Sequence, residues 1–465
     1  MKFTAATPAP AGGVRRRVAA AALVLPLALS ACGSDGRDEV GADGKVLLRV
    51  AVDAGLEKGA VEAFDARVAQ FEAANPDVDV ESQEYTWTAA SFTAQLAGGT
   101  IPDVFTVPFT DGRGLIERRQ VADIGDQISE LPYAGALNPN VAKAGQAADG
   151  RQWAVPIAAY GQALHYNRTL FAQAGLDPDR PPTTWAEVRS AAKRIAERTG
   201  QAGYAQMTSG NTGGWVLTTL DYAFGGRIEK IDGDRAEATV DTPELAEVLT
   251  TLRAMRWEDD SMGANFLYDW AGINQDFAAG RIGMYVSGGG NYGNLVTQNG
   301  LKPEDYGVAA LPLADTPEAG VLGGGTLAVV SPKVGDRGKD AAVEWIDFYY
   351  MGKLTDQGAA VADAKTLAET GQPVGAPALP VLDRATYDRA REWTREYVNV
   401  PLAQMTPYTS KMFDQPLLTE PTRSTQDVYK ILDRTVQALL TDPAVDVPGL
   451  LAEADAEVQA RIDRG

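Results

Sequence analysis

Cysteine and histidine are almost absent from this 465-residue sequence, which has one of each. A disulfide needs two cysteines, and zinc sites and iron–sulfur clusters need several Cys or His ligands. We therefore expect no bound metal and no cofactor. An enzyme with a Ser-His-Asp or Cys-His arrangement would depend on His165 alone. That residue lies within an apolar run, which is more typical of a buried, hydrogen-bonded histidine than of a catalytic one.

Positive charge is also scarce. The sequence has 62 Asp plus Glu against 42 Lys plus Arg, which gives a formal net charge of −20. An acidic surface repels phosphate backbones, so we expect no nucleic-acid partner. The content of 45% hydrophobic and 22% charged residues is that of a folded protein. Because this length exceeds what one ordinary core supports, the sequence predicts two compact units.

Long hydrophobic runs are missing as well, since the run near the N-terminus, Val18 to Leu29, is too short to span a bilayer comfortably. It follows the basic cluster Arg15–Arg17 and leads into Ser30-Ala31-Cys32, an order typical of a secretory signal. Leu-Ser-Ala-Cys resembles a bacterial lipobox, whose cysteine is lipidated. We predict a signal peptide over 1–31, lipidation of Cys32 and a flexible tether over 32–45. The mature protein would then be exported and anchored by lipid to the outer face of the cytoplasmic membrane. The alternative is a signal peptide that happens to precede a free thiol.

The mature chain begins with short strands that alternate with helices. The sequence predicts strands over Val46–Val52, Val78–Tyr85 and Pro102–Val107, with helices over Gly59–Ala74 and Phe92–Leu96 between them. Strand–helix–strand units of this kind favour a mainly parallel sheet and an α/β class.

Local signals predict further elements. Thr184 and Glu187 form a capping box for a helix that ends at Gly200. Pro243 lies where a helix tolerates proline, in its first turn. The stretch from Ile231 to Asp234 predicts a hairpin turn.

Several motifs match one known family. They are Pro102-Asp103-Val104, Gly150 to Pro156, Tyr166 to Pro178, Pro182 to Trp185, Phe277 to Met284, and Gly323-Gly324-Gly325. Together and in this order they resemble the extracellular solute-binding proteins of bacterial ABC importers, in particular the carbohydrate-binding family that includes the maltose-binding proteins. The sequence departs from the pattern at His165, where an aliphatic or aromatic residue is usual. Its last 90 or so residues are too generic to align.

The resemblance implies the two-lobe α/β fold of type II periplasmic binding proteins, with the ligand in a cleft between lobes joined by hinge crossovers. By analogy, lobe 1 comprises residues 46–158 plus 312–371, and lobe 2 comprises residues 159–311 plus 372–465. The resemblance also implies a sugar or oligosaccharide ligand, membrane subunits of an ABC permease as partners, a monomer, and no enzyme activity.

Candidate ligand contacts are aromatic, polar and glycine residues in predicted turns. Aromatic rings stack on the apolar faces of sugars, while carboxylates and amides bind their hydroxyl groups. The candidates are Trp87, Asp111, Tyr160, Asn211, Trp215, Trp270, Asn291, Tyr292 and Gly324. Three have structural alternatives: Trp87 could pack on the next helix, Asp111 could cap the helix around Leu115, and Tyr160 could pack within the hinge. Trp153 and Trp185 are predicted to be structural.

Two other functions stay open at this point. An exported glycoside hydrolase, or another carbohydrate-active lipoprotein, would use two carboxylates about 5–10 Å apart. With 62 acidic residues some such pair is always available, and none stands in a catalytic motif. The second alternative is a lipoprotein that serves only adhesion or signalling.

Overall fold

The computed structural model describes residues 36–56, 58–232 and 235–464. The predicted signal peptide and Cys32 lie outside the described residues, as do Gly233 and Asp234 of the predicted hairpin turn.

Within this part of the chain, strands and helices alternate through most of the sequence. The strands are β1 Val46–Val52, β2 Val78–Glu84, β3 Val104–Pro108, β4 Val155–Asn167, β5 Glu229–Asp232, β6 Arg235–Ala238, β7 Met284–Gly288, β8 Tyr306–Ala310, β9 Val321–Val330 and β10 Leu417–Leu418. The helices of the first half are α1 Lys58–Ala74, α2 Ala89–Gly98, α3 Phe109–Glu117, α4 Gly125–Glu130, α5 Pro139–Ala142, α6 Arg168–Gln173, α7 Trp185–Thr199, α8 Thr212–Phe224 and α9 Pro243–Arg253. Those of the second half are α10 Trp270–Ala278, α11 Tyr292–Thr297, α12 Asp336–Ile346, α13 Gly352–Thr355, α14 Gln357–Glu369, α15 Arg384–Trp393, α16 Thr406–Thr409, α17 Thr425–Thr441 and α18 Val447–Ile462. Short 3₁₀ helices occupy Ala134–Ala136, Lys143–Gly145, Pro303–Asp305, Arg395–Tyr397 and Leu402–Met405, and π-helical turns occupy Ala254–Glu258 and Asp347–Met351.

The main sheet has the strand order β2-β1-β3-β9-β4-β7, with β8 also paired to β4 and β10 to β9. Strand β1 pairs in parallel with β2 and β3, as the strand–helix–strand pattern predicts. In contrast, β9 runs antiparallel to β3 and β4, and β4 runs antiparallel to β7 and β8. The expectation of a mainly parallel sheet is therefore right for the first three strands and wrong for the pairs that β9 forms with β3 and β4 and that β4 forms with β7 and β8. The local strand–helix pattern does not specify how strands that are distant in sequence pair.

Strand β4 connects two regions of this sheet. Its residues 155–161 pair with β9, and its residues 162–167 pair with β7 and β8. The strand thus changes partners between Gly161 and Gln162, beside the segment where the first crossover is predicted. A single strand shared in this way joins the two regions by continuous backbone hydrogen bonds.

The local helix signals are confirmed. The Glu187 backbone N–H donates to the Thr184 hydroxyl, the Glu187 carboxylate accepts from the Thr184 backbone N–H, and α7 ends before a left-handed Gly200. Helix α9 begins at Pro243 behind a Thr242 cap. These features agree because capping depends on residues only three or four positions apart.

His165 lies in the hydrophobic core and is fully buried. Its Nε2 is 3.1 Å from the Gly288 carbonyl oxygen, which can only accept, so Nε2 carries the proton and Nδ1 accepts from the Tyr306 hydroxyl at 3.1 Å. Burial lowers its pKa to about 4, which keeps the ring neutral at pH 7. The prediction of a buried, hydrogen-bonded histidine is confirmed.

Residues 36–45, which the sequence predicts as flexible tether, contact the body of the protein. The Arg37 N–H donates to the Lys333 carbonyl oxygen at 2.9 Å, and Asp38 Oδ1 accepts from the Gly338 N–H at 2.8 Å. Glu39 forms an ion pair with Arg49 at 2.5 Å. Because α12 has no side-chain cap of its own, Asp38 satisfies an amide in its first turn and holds this segment in place.

Among the helices that the structure describes, none combines the length and the apolar character that crossing a bilayer requires.

Candidate functional site

A cavity of about 480 Å³ opens between the first turn of α3 and the segment that leads into α17. Its walls are polar, and the lining residues are Thr110, Asp111, Glu420, Thr422, Ser424, Thr425, Gln426 and Asp427. One wall thus follows directly after β3 of the first sheet region, and the other comes from the C-terminal part of the chain. A ligand held here would contact two segments that are far apart in sequence.

Tyr160, on β4, contacts a residue that lines this cavity. Its hydroxyl donates to Glu420 Oε1 at 3.1 Å. Gly324 pairs with Tyr160 across the sheet, and a Cβ atom at that glycine would lie 2.8 Å from the Tyr160 hydroxyl oxygen. Only glycine leaves room for the tyrosine ring at this position, so Gly324 contributes to the site through the space that it provides.

Trp215 reaches the same carboxylate from the first turn of α8. Its ring centroid lies 6.2 Å from that of Tyr160, with an interplanar angle of 63°. Burial raises the pKa of Glu420, and the nearby Tyr160 and Trp215 side chains lower it in part. Two aromatic rings from different elements therefore lie next to each other near Glu420, and Tyr160 is hydrogen-bonded to it.

Asn211 lies just before α8 and is tied to α17. Its backbone is left-handed, with φ of 66°, and its side chain does not cap the helix. Instead, Asp433 accepts from the Asn211 N–H and from the Gly214 N–H, both at 2.7 Å. The Asn211 amide nitrogen donates to Gln426 Oε1 at 2.9 Å, which connects it to a residue that lines the cavity.

The structure thus brings Tyr160 and Trp215 together near Glu420, with Gly324 beside the Tyr160 ring. Asp111 lines the same cavity as Glu420, and Asn211 is hydrogen-bonded to the lining residue Gln426. Asp111 does not cap α3, which begins two residues earlier at Phe109, so its carboxylate lies in the first turn and lines the cavity.

The other two tryptophan candidates, like Trp215, are not among the residues that line the cavity. Trp87 is half-buried, with its ring centroid 4.8 Å from that of Phe92. It therefore packs on α2, which is the structural alternative to ligand contact that the sequence left open. Trp270 is the first residue of α10 and is 37% exposed. It follows Tyr268, whose carbonyl oxygen accepts from Thr208 of the loop before α8, so Trp270 lies on the α8 side of the fold.

Asn291 and Tyr292 lie at the start of α11, away from this cavity. The Asn291 amide nitrogen donates to Asn274 Oδ1 at 2.9 Å and to the Tyr285 hydroxyl at 3.0 Å. Tyr292 is buried, with its ring centroid 5.0 Å from that of Tyr306. Both side chains are thus occupied by packing and hydrogen bonds within the protein.

Of the eight residues that line the cavity, the sequence predicted only Asp111. Glu420, Gln426 and Asp427, and Asp433 behind them, lie in the C-terminal part that the family resemblance does not cover. One signal was available: the polar run from Thr419 to Asp427 immediately precedes a strongly amphipathic helix. This run indicates a helix start, but it does not indicate that the helix faces the first turn of α3, about 300 residues earlier in the chain.

A larger cavity, of about 1190 Å³, lies elsewhere, between α7, the end of β8 and α16. Its lining contains none of the predicted ligand contacts, and Arg168 at its edge is already bound to Asp179 and to the Pro178 carbonyl oxygen. Trp185 closes the neighbouring core through a 3.0 Å bond from its Nε1 to the Pro312 carbonyl oxygen, in agreement with its predicted structural role. The smaller cavity is therefore the candidate site.

The sequence profile of the bacterial extracellular solute-binding proteins matches residues 54–351. This chain belongs to that family. The resemblance drawn from the sequence motifs is thereby confirmed.

Individual relatives have names that state different ligands. The diacetylchitobiose-binding protein DasA of Streptomyces coelicolor is 26% identical over 350 residues, which cover 71% of this chain and 77% of that protein. The sn-glycerol-3-phosphate-binding periplasmic protein UgpB of Escherichia coli is 23% identical over 350 residues, which cover 70% and 73%.

The crystal structure of a cyclic α-maltosyl-1,6-maltose binding protein from Arthrobacter globiformis has the same fold. Its TM-score is 0.67 at 24% sequence identity, and the match covers 91% of this chain and all of that one. The predicted two-lobe α/β fold of type II periplasmic binding proteins is thereby confirmed.

Proposed function

We propose that this protein is the lipid-anchored substrate-binding component of an ABC importer, and that it captures a sugar or oligosaccharide and delivers it to the permease subunits in the membrane. The observation that carries this proposal is the meeting of Tyr160, Trp215 and Glu420 beside a polar cavity whose opposite wall is Asp111. The protein acts in this proposal without covalent chemistry, as a monomer and without a cofactor.

The groups around the cavity suit a carbohydrate. Sugars present apolar C–H faces that aromatic rings can cover, and hydroxyl groups that carboxylates and amides can bind. Tyr160 and Trp215 supply rings, while Asp111, Glu420 and Asp427 supply acceptors. Trp270, which is partly exposed on the α8 side, would extend the aromatic surface for a longer ligand.

Capture requires that ligand binding favour one arrangement of the lobes. We propose lobe 1 as residues 46–158 plus 312–371 and lobe 2 as residues 159–311 plus 372–465. The change of partner along β4 between Gly161 and Gln162 supports the first boundary. Asp111 would then bind from lobe 1 and residues 422–427 from lobe 2, so only the closed arrangement would contact the ligand from both sides.

Relatives support a carbohydrate ligand. One is named for diacetylchitobiose, and the Arthrobacter globiformis structure is that of a protein named for a cyclic maltosyl-maltose. Another relative is named for sn-glycerol 3-phosphate, so the ligand class must be tested directly.

The test is a ligand panel measured by thermal unfolding and by titration calorimetry. The panel contains diacetylchitobiose, maltose, longer maltooligosaccharides and sn-glycerol 3-phosphate. We expect at least one carbohydrate to raise the unfolding temperature at one ligand per protein, with a micromolar dissociation constant, equivalent to about −8 kcal/mol. Small-angle scattering should show a smaller radius of gyration with that ligand.

The same samples distinguish binding from hydrolysis. A glycoside hydrolase would release product in excess over the protein, whereas a binding protein leaves the carbohydrate intact. Catalytic product release would overturn the proposal, and so would the failure of every carbohydrate to bind.

A further inference from the structure

Residues 36–40, which we call the clamp, are bound to the first strand of the sheet. The Glu39 carbonyl oxygen accepts from the Leu47 N–H at 2.9 Å, and Val40 forms a β-bridge to the first residue of β1. Both oxygens of the Glu39 carboxylate accept from the Arg49 guanidinium, at 2.5 and 2.9 Å. Backbone and side-chain contacts together therefore fix the clamp on β1.

The clamp also fits closely against the segment that leads into α12. A Cβ atom at Gly36 would lie 2.1 Å from the Val334 carbonyl oxygen, and one at Gly335 would lie 2.6 Å from Asp38 Oδ1. The same Oδ1 accepts from the Gly338 N–H at 2.8 Å. Because Gly36 and Gly335 have no side chains, the two segments can approach to this distance.

The clamp lies at the edge of the sheet opposite to the candidate cavity. Strands β1, β2 and β3 are parallel, so they begin toward one edge and end toward the other. The clamp contacts the beginning of β1, whereas Asp111 of the cavity follows the end of β3. Strand β1 has 7 residues, so about 20 Å separates the two edges.

Docking of the clamp shortens the chain between a lipid on Cys32 and the body of the protein. Cys32 and Gly36 are four positions apart, and such a chain spans at most about 14 Å at full extension. Without the clamp the tether would run from Cys32 to Val46, which are 14 positions apart and would span up to about 50 Å. The longer reach would let the body turn any side toward the bilayer, and the shorter reach restricts this rotation.

We infer that the docked clamp orients the anchored protein on the phospholipid bilayer. The edge of the sheet where β1 begins is held next to the membrane, and the candidate cavity is held on the far side, where ligand arrives from solution. The inference rests on the proposed function, because it requires the lipid anchor at Cys32.

The test measures how close each end of β2 lies to the bilayer. Cys32 is the only cysteine and lipidation would block its thiol, so one introduced cysteine can be labelled alone. Asp77→Cys places a fluorescent donor on the exposed residue before β2, and Glu84→Cys places it on the exposed last residue of β2. Each lipoprotein is reconstituted into phosphatidylcholine vesicles that carry an energy-transfer acceptor on a lipid headgroup.

We expect energy transfer to be at least about twofold more efficient from position 77 than from position 84, since about 23 Å of strand separates them. The expected direction follows from the clamp, which lies at the edge where β2 begins. Both donors are on one strand of one protein, so that the comparison does not depend on the amount of protein bound to the vesicles.

Two variants identify the cause of the difference. Asp38→Ala combined with Glu39→Ala removes the side-chain contacts of the clamp, and a ten-residue Gly-Ser insertion after Gly33 lengthens the tether without changing the clamp. Both should reduce the difference in transfer, and the insertion should leave the unfolding temperature unchanged. The matched control for the double substitution is Asp363→Ala with Glu369→Ala, two exposed acidic residues of α14, which should leave the difference intact.

Each outcome decides the inference. Equal transfer from the two positions in the lipoprotein with its clamp intact, or greater transfer from position 84, would overturn it. A difference that persists in both variants would also overturn it, since another contact would then orient the protein; if the double substitution impairs folding, the insertion decides alone. If the protein does not partition into vesicles, the lipid anchor fails and the inference fails with it, while ligand binding in solution still tests the rest of the proposed function.

Discussion

Asp433 should be the residue of α17 on which the geometry of the site most depends. Its two carboxylate oxygens accept from the Asn211 and Gly214 N–H groups at 2.7 Å each, and it thereby replaces the side-chain cap that α8 lacks. Trp215 follows immediately in the same turn. Removal of the carboxylate should therefore loosen both the start of α8 and the position of the Trp215 ring.

The magnitude follows from these two bonds. A hydrogen bond to a charged group contributes about 1.5–3 kcal/mol to stability. The lower value applies here, because burial raises the pKa of Asp433 and so shows that its charge is costly to bury. Two such bonds give about 3 kcal/mol for Asp433→Ala. Asp433→Asn keeps one acceptor oxygen and should lose about half of that amount.

The assay is urea unfolding followed by tryptophan fluorescence, together with the affinity for whichever carbohydrate the panel identifies. The control is Asp363→Ala, an exposed aspartate on α14, which should change the free energy of unfolding by less than about 0.5 kcal/mol. If Asp433→Ala were as stable as this control, the capping argument would be refuted. Weaker ligand binding by the folded Asp433→Asn protein would show that the carboxylate positions the site as well as stabilising it.

The remaining predictions concern stability against pH, ligand stacking and anchoring. Burial raises the pKa of Asp221 to about 8, so between about pH 4 and pH 8 the native protein keeps a proton that the unfolded chain has lost. The free energy of unfolding should fall as pH rises through this window, by at most about 1.4 kcal/mol per pH unit. The Asp221→Asn variant should lack this fall. Parallel profiles of unfolding free energy against pH for the two proteins would contradict the prediction. Trp215→Ala should weaken carbohydrate binding by about 1–3 kcal/mol in calorimetry, and so should Trp87→Ala and Trp270→Ala if those rings also stack on the ligand. Unchanged affinity in all three folded variants would contradict the prediction of aromatic contacts to the ligand. Cys32→Ala should abolish partitioning of the exported protein into detergent, and unchanged partitioning would exclude lipid anchoring.

Local features of this protein were predictable from sequence. The bounds of β1, the capping box at Thr184 and the helix end at Gly200 agree with the structure, because each depends on residues within a few positions of one another. The buried state of His165 was also predictable, since the residues around it are apolar. Tyr160 and Trp215 are candidates because the first lies at the predicted crossover and the second at a helix start, and their contact with a ligand stays a prediction.

The direction of β4 and β9 and the composition of the cavity were decided by tertiary structure. Nothing near Tyr160 in the sequence indicates that its hydroxyl meets Glu420, and nothing near Asn211 indicates that Asp433 caps the following helix. Both acids are ordinary residues by local pattern, and their roles arise from contacts across more than 200 positions.

The scarcity of cysteine and histidine limits, whatever the fold, the metal-ligand sets and the nucleophile–base pairs that this protein can form. The scarcity of positive charge gives it a net negative charge, again whatever the fold. Only the tertiary structure decided which of the surplus acidic residues lie next to each other. It places Asp111, Glu420 and Asp427 around one cavity with no basic residue in its described lining, since long-range packing alone sets which side chains face each other.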